Sequence, residues 1–225
     1  MRAGWLAVAG LFLASFGPRS LGQPVAMIEV EFSHPGLTPS HWTLVLHPDG
    51  SGHFRSDRGN ATAEGSPRSS TPSLVTPDQD RDVQFSAQFV EHVFHAARKH
   101  KLFSEECESH MKVAFQGWKK LSYSGPDGEG SCKFNYSNDK EIQALGDSMV
   151  AAASTILEGA RLEMLLQHDR LGLDKEMEYI SEAQGDGRIL QICAIRGILE
   201  RLEADPAVME RVRKRARALL AKQEE

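Results

Sequence analysis

The sequence lacks the short motifs that assign an enzymatic reaction to a chain. It contains no G-x-S-x-G nucleophile elbow, no Walker A loop, no dinucleotide fingerprint and no H-E-x-x-H pair of metal ligands. An excess of positive charge is also absent, since 26 basic residues face 31 acidic ones and the formal net charge is −5. The chain therefore has no general attraction for nucleic acid or for an anionic membrane surface. We also predict no bound cofactor.

Long apolar stretches are equally scarce, and the one that exists lies at the N-terminus. Arg2 gives a basic start, residues 5–16 are almost wholly apolar, and the small residues Ser20 and Gly22 precede Gln23. We interpret residues 1–22 as a secretory signal peptide. The alternative is an N-terminal membrane anchor, for which the apolar core is short. We therefore expect a secreted or periplasmic protein with no transmembrane span after signal removal.

Cysteine is rare, and the chain has three: Cys107, Cys132 and Cys193. In an oxidising compartment two of them can pair, in three possible ways. Cys193 lies in an apolar run that predicts a buried thiol on a helix, whereas Cys107 and Cys132 lie on either side of one predicted strand. We predict a Cys107–Cys132 disulfide, which the chain-entropy view credits with roughly 3 kcal/mol, and a free Cys193.

Two turns share the pattern P-D-G-x-G, at residues 48–52 and 126–130. Pro, Asp and a left-handed Gly in this order are typical of a type I turn with a bulge, which joins two antiparallel strands. With His47 opposite Ser51, Leu44 would face Phe54 and one face of the first hairpin would be apolar. A further strand is predicted at residues 26–32.

Helical periodicity follows each hairpin. Ser86 is the predicted N-cap of a short helix at residues 87–100, and Asn138 or Asp139 caps a long helix from about 139 to 167. More helices are predicted at residues 174–183, 188–202 and 206–222, the last starting at Pro206. We therefore predict an α+β fold, in which an antiparallel sheet of about five strands is built from two P-D-G hairpins.

This pattern divides the chain into a signal peptide (1–22), an α+β domain (23–168) and a helical C-terminal segment (169–225) packed on that domain or following it. Within the α+β domain, residues 57–80 are rich in Gly, Ser, Thr, Pro and charge, which predicts a mobile loop. That loop is a tolerated insertion or, alternatively, a binding lid. Asn60-Ala61-Thr62 within it fits the N-glycosylation pattern.

Histidines gather in the first hairpin and give candidate metal ligands. In the register above, His41, His47 and His53 lie on the face opposite Trp42, where zinc or copper could use imidazole ligands. The plainer interpretation is a solvated polar face that carries ordinary histidines.

Two other patterns point to chemistry less strongly. Residues 78–82 alternate aspartate as a calcium loop does, but the glycine and glutamate that such a loop needs are missing. Gly146-Asp147-Ser148 resembles the opening of the G-D-S-type esterases, but its serine falls inside the predicted long helix. A serine placed there lacks oxyanion donors and a base.

The last predicted helix is basic and amphipathic. Arg211, Lys214 and Arg215 on its polar side could dock on an acidic partner or on anionic lipid. The alternative is a helix packed on its neighbours, with its basic side facing glutamates such as Glu203 and Glu210.

Together these observations favour a non-enzymatic exported protein that binds an envelope or secreted protein through its surface, with self-association as a further option. The alternative is an exported hydrolase, or a metal-binding module, that uses the face of His41, His47 and His53. A concave pocket on that face with a carboxylate beside the histidines would favour the enzyme. A flat and solvated face would count against it.

Overall fold

The computed structural model describes residues 25–57 and 77–222. The predicted signal peptide and residues 58–76 of the predicted loop, which include Asn60, lie outside these residues. The strands are β1 (Met27–Ser33), β2 (His41–Leu46), β3 (Ser51–Asp57), β4 (Gln79–Gln84), β5 (Trp118–Gly125) and β6 (Gly128–Phe134). The helices are α1 (Ala87–Lys99), α2 (Lys140–His168), α3 (Gly172–Gly185), α4 (Arg196–Ala204) and α5 (Glu210–Ala221), with 3₁₀ turns at Lys101–Phe103 and Ile192–Ile195.

The six strands form one antiparallel sheet in the order β4-β3-β2-β1-β5-β6. This confirms the α+β class, with one strand more than predicted. The additional strand is β4, which lies at one edge of the sheet and pairs with β3. Asp57 ends β3 and Gln79 begins β4, so the residues at both ends of the predicted loop belong to strands.

The sheet buries one face against α1 and most of α2. Leu44 pairs with Phe54 as predicted, and both side chains are fully buried in the core that these helices complete. Ser86 accepts a hydrogen bond from the backbone of α1, and Asp139 accepts two from the first turn of α2, so both helices begin at predicted caps. The local sequence therefore fixes where each covering helix starts.

The two P-D-G turns fold differently although their sequences match. In the first, the amide of His47 donates to Ser51 and Gly50 has a φ of 85°, which is the predicted turn with a bulge. In the second, Gly125 pairs directly with Gly128, so the connection is a tighter two-residue turn. The shared sequence pattern therefore does not produce the same hairpin twice.

The C-terminal helices enclose a second hydrophobic cluster, which begins at Leu162 inside α2. Two predicted helices start later than expected. Gln191 has a left-handed backbone and precedes a 3₁₀ turn, so the helix predicted at 188–202 becomes α4, which begins at Arg196. Pro206 lies in a turn closed from Val208 to Asp205, and α5 begins at Glu210. Asp205 caps this turn by accepting the amide of Ala207 at 2.8 Å.

Of the helices within residues 25–57 and 77–222, none has the length and apolar character needed to cross a membrane.

Candidate functional site

The face of the sheet opposite the helices is polar. Charged and hydroxyl side chains alternate with the buried ones along β1, β2, β3 and β5, and most of them are partly exposed. Lys120 and Glu31 form an ion pair of 2.6 Å across neighbouring strands. This polar face carries His41 and His53, as the predicted register requires.

The three candidate metal ligands do not come together as one set. His41 pairs with Asp57 at one end of the first hairpin, whereas His53 pairs with Val45 near the other end. His47 follows the last residue of β2. Across residues 25–57 and 77–222, no group of three or more His, Cys, Asp or Glu side chains is arranged to hold a metal ion.

His53 is held between two aspartates of β4. Its Nε2 lies 3.1 Å from Asp80 and its Nδ1 lies 2.9 Å from Asp82. The ring therefore fastens the edge strand β4 to β3, and a carboxylate lies within hydrogen-bond distance of each ring nitrogen.

A cavity of about 600 Å³ opens between the first hairpin, β4 and the start of α4. His47, His53, Asp82 and Cys193 are among the residues that line it. Two of the three candidate histidines therefore line a pocket, with Asp82 beside His53, but His41 is not part of its lining. The groups in this pocket are not activated, however, because burial raises the pKa of the Cys193 thiol and so disfavours the nucleophilic thiolate.

The predicted disulfide is confirmed. Cys107 and Cys132 are bonded, with their Cα atoms 5.7 Å apart, and Cys193 is the free cysteine. Cys132 belongs to the edge strand β6, whereas Cys107 lies in residues 104–117, which we call the patch loop. The bridge therefore ties an irregular segment to the edge of the sheet.

The patch loop is also held by two polar side chains. Glu108 accepts the backbone N–H groups of Asn135 and His110 at 2.6 and 3.2 Å. Burial alone would raise the pKa of Glu108, but these N–H donors outweigh it and lower the pKa below its ordinary value. Asn135 accepts the N–H of Gln116 at 2.7 Å and donates to the carbonyl of Ala114 at 3.3 Å.

The patch loop delivers an aromatic ring to the end of the sheet. The ring of Phe115 lies 5.1 Å from that of His34 and 6.0 Å from that of Trp118. Phe115 is 46% exposed and Trp118 is 37% exposed, although large aromatic side chains usually find cover. We call His34, Phe115 and Trp118 the aromatic patch. Lys133 lies over the indole of Trp118, 5.0 Å from its centre.

The aromatic patch and the neighbouring Lys133 present three hydrogen-bond donors. Nδ1 of His34 accepts the N–H of Gly36 at 3.0 Å, which places the proton of a neutral ring on Nε2. Together with the indole N–H of Trp118 and the ammonium of Lys133, this gives three donors. Within the part of the chain that the structure describes, none of them has a hydrogen-bond or ion-pair partner. Exposed rings and solvent-facing donors therefore lie side by side at the patch.

The aromatic patch is not among the predicted sites, since none of His34, Phe115 and Trp118 is a predicted site residue. The available signal is the segment from Met111 to Phe115, where large apolar residues recur at every second position as in a strand, although the structure forms no strand there.

The basic candidates on the last helix lie mostly in ion pairs. Asp174 of α3 accepts Arg211 at 2.8 Å and Arg215 at 2.6 Å. Within the described residues, Lys214 is exposed and has no such partner. The helix packs on its neighbours through Val212 and other apolar residues, so most of its charge is compensated inside the molecule.

A comparison of the chain with known protein families and with curated proteins finds no family model that matches and no significant match among the curated proteins. The class of the protein therefore rests on its own structure: an α+β protein with a single-layer sheet, one disulfide and an exposed aromatic patch beside that disulfide.

Proposed function

We propose that this chain is an exported, non-enzymatic binding protein that holds an envelope or secreted protein through its aromatic patch. The observation that carries the proposal is the exposure of Phe115 and Trp118 as neighbouring rings. Aromatic residues are enriched at protein interfaces and supply many of the side chains on which affinity depends. Export is supported by the apolar N-terminal segment and agrees with the disulfide, because such bonds persist in oxidising compartments.

The donors of the patch favour an acidic partner. His34, Trp118 and Lys133 present an imidazole N–H, an indole N–H and an ammonium, so a complementary surface supplies acceptors, above all carboxylates. The same charge disfavours symmetric self-association here, since a two-fold contact would place Lys133 near its own copy. We therefore propose a protein segment in which aspartate or glutamate accompanies apolar side chains.

Cross-linking from a residue beside the patch tests this proposal. A photoreactive amino acid replaces Leu37, which is exposed and lies in the same turn as His34. We expect one protein adduct in the intact host envelope, lost in Trp118→Ala and in Lys133→Glu. With the purified partner, each change should weaken binding about tenfold or more.

Tyr179 and Arg188 provide the matched control. Arg188 lies over the ring of Tyr179 at 5.2 Å, and Tyr179 is 40% exposed, so this pair at the end of α3 has the same cation–ring contact as Lys133 and Trp118 on the sheet. Tyr179→Ala and Arg188→Glu should leave the adduct unchanged. The proposal is wrong if these variants weaken binding as much as the patch variants do, or if the adduct is an anionic polysaccharide and not a protein.

A second candidate function is an exported hydrolase at the cavity of His53 and Cys193, favoured by the presence of both side chains and Asp82 in one lining. The protonated thiol and the two aspartates on His53 count against it. Hydrolysis of a series of nitrophenyl esters, compared between the native chain and Cys193→Ser, decides the matter. If the native chain and Cys193→Ser both hydrolyse these esters no faster than buffer alone does, this candidate is wrong.

A further inference from the structure

The patch loop has no helix or strand of its own between the 3₁₀ turn at Lys101–Phe103 and β5. Its attachments converge on residues 132–136 at the end of β6. They are the Cys107–Cys132 bond, the contact of Glu108 with Asn135, the contacts of Asn135 with Ala114 and Gln116, and the donation of the Ser109 N–H to Tyr136 at 2.9 Å. A loop of this length needs such attachments to hold a ring in place, because its ordering costs conformational entropy.

The disulfide is the only covalent attachment among those on the described residues. It closes a segment with a sequence separation of 25 residues. Glu108 and Ser109 follow Cys107 directly, so the bridge brings their polar groups to the end of β6. Without the bridge, only these hydrogen bonds hold the loop against its entropy, and each of them contributes little net stability.

Resting on the proposed function, we infer that the Cys107–Cys132 bond assembles the aromatic patch, so that partner binding is confined to the oxidised, exported form. In the reducing cytosol both cysteines carry thiols, and the patch loop is free of β6. After export, a disulfide-bearing oxidant accepts two electrons and two protons from these thiols. The S–S bond forms, the oxidant is released as a dithiol, and Phe115 takes its place beside Trp118.

The burial of the bridge makes this a single maturation step. Cys107 is 8% exposed and Cys132 is 7% exposed. Reduction requires a thiolate to reach one of these sulfur atoms in line with the S–S bond. The folded protein shields them, so the assembled patch persists once it has formed and does not switch with small changes in redox potential.

Amide exchange tests the assembly of the patch. Exchange is measured by NMR in a Cys193→Ser background, for the oxidised chain, for the same chain after reduction, and for Cys107→Ala/Cys132→Val. We expect the amides of Ser109 and Gln116, which both donate hydrogen bonds, to exchange at least tenfold faster in the two forms without the bridge. The amides of β1 should stay protected.

Three results would overturn this inference. Unchanged exchange at Ser109 and Gln116 shows that the bridge does not order the loop. Loss of protection along β1 in both forms shows that the bridge supports the whole fold and not the patch. Equal cross-linking from position 37 with and without the bridge shows that binding does not need it. The absence of any Trp118-dependent adduct from the oxidised chain refutes the proposed function instead, and the exchange data still decide whether the bridge orders the loop.

Discussion

The ammonium of Lys119 lies 3.0 Å from the carboxylate of Asp147 and joins β5 to α2 inside the main core. The Lys119 side chain is only 3% exposed, and the contact is an ion pair without the geometry of a directed hydrogen bond. The ring of Phe134 lies 5.5 Å from the same ammonium. Lys119 is therefore a buried charge whose one anionic partner among residues 25–57 and 77–222, Asp147, is more than half exposed.

We predict that the two ends of this ion pair respond unequally to substitution. Asp147→Ala leaves a buried ammonium without its partner and should lower the free energy of unfolding by about 1–3 kcal/mol. Lys119→Met removes the charge and keeps the apolar stem, so its effect should be near zero or stabilising. Urea unfolding of the two variants and of their combination measures this. If Lys119→Met proves the more damaging change, the ammonium is a net stabiliser and the argument fails.

A second buried ionisable group, the carboxyl of Glu158, predicts that the stability of the fold depends on pH. Glu158 of α2 is largely buried near Glu176 of α3, and Nε of Arg161 lies 2.5 Å from Oε2 of Glu176. Burial, followed by the hydrogen bond and the negative charge of Glu176, raises the pKa of Glu158 to about 8, and Arg161 opposes this shift only in part. Glu158 therefore carries a proton at neutral pH.

The folded chain binds this proton more tightly than the unfolded chain, whose Glu158 has an ordinary pKa of 4.5. Stability from this group is complete below the unfolded pKa and is lost as the pH rises through about 8. Glu158→Gln keeps a neutral side chain at every pH, so it should match the native chain at pH 5. At pH 9 it should exceed the native chain by roughly 1–3 kcal/mol, or several degrees in Tm.

Glu182→Gln is the matched control, because Glu182 is exposed at the far end of α3. Its difference in Tm from the native chain should stay constant from pH 5 to pH 9. A Glu158→Gln variant that showed the same flat profile would contradict the raised pKa.

The sequence predicts those parts of the structure that depend on residues close together in the chain. The hairpin of Leu44 and Phe54 and the caps at Ser86 and Asp139 were predictable because each depends on residues close in sequence. The strand β4 was missed because QDRDVQ offers little apolar alternation and pairs with β3 across a long connection. Only that pairing brings Asp80 and Asp82 to His53.

The disulfide was predictable and the aromatic patch was not, although the two are joined. Elimination among three cysteines and the place of Cys193 in an apolar run were enough to favour the Cys107–Cys132 bond. The aromatic patch requires the path of an irregular loop, in which the alternation at residues 111–115 does not lead to a strand. Phe115 meets His34 where the disulfide, Glu108 and Asn135 together hold that path.

Asp174 of α3 forms the two shortest ion pairs between α3 and α5, with Glu178 farther from Arg215 at 3.6 Å, which predicts a salt-sensitive loss of stability. Asp174 is mostly buried and accepts both Arg211 and Arg215. Asp174→Asn should lower the free energy of unfolding by about 1 kcal/mol in dilute buffer, since two charge-assisted contacts weaken together. The difference should shrink in 1 M NaCl, where the screening length falls to about 3 Å. A loss that is equal at both salt concentrations would assign the effect to packing.

Gly130 lies where the edge strand β6 touches the chain that follows α1. A Cβ at this position would overlap the carbonyl oxygen of Leu102 and the hydroxyl of Ser104, and the first of these belongs to the backbone and cannot turn away. Gly130→Ala should therefore cost about 1–3 kcal/mol. It should also speed amide exchange at Ser104, whose N–H closes the adjacent 3₁₀ turn.

Gly185→Ala provides the comparison for that prediction. Gly185 is the last residue of α3, and a Cβ there would meet no atom within 4 Å. Alanine restricts the unfolded chain and favours the helix, so this variant should be neutral or more stable by about 0.4–1 kcal/mol. Urea unfolding distinguishes the two substitutions by sign. Equal effects would mean that β6 moves away from Leu102 at little cost, and that the patch loop is held by the disulfide and its hydrogen bonds without help from this close contact.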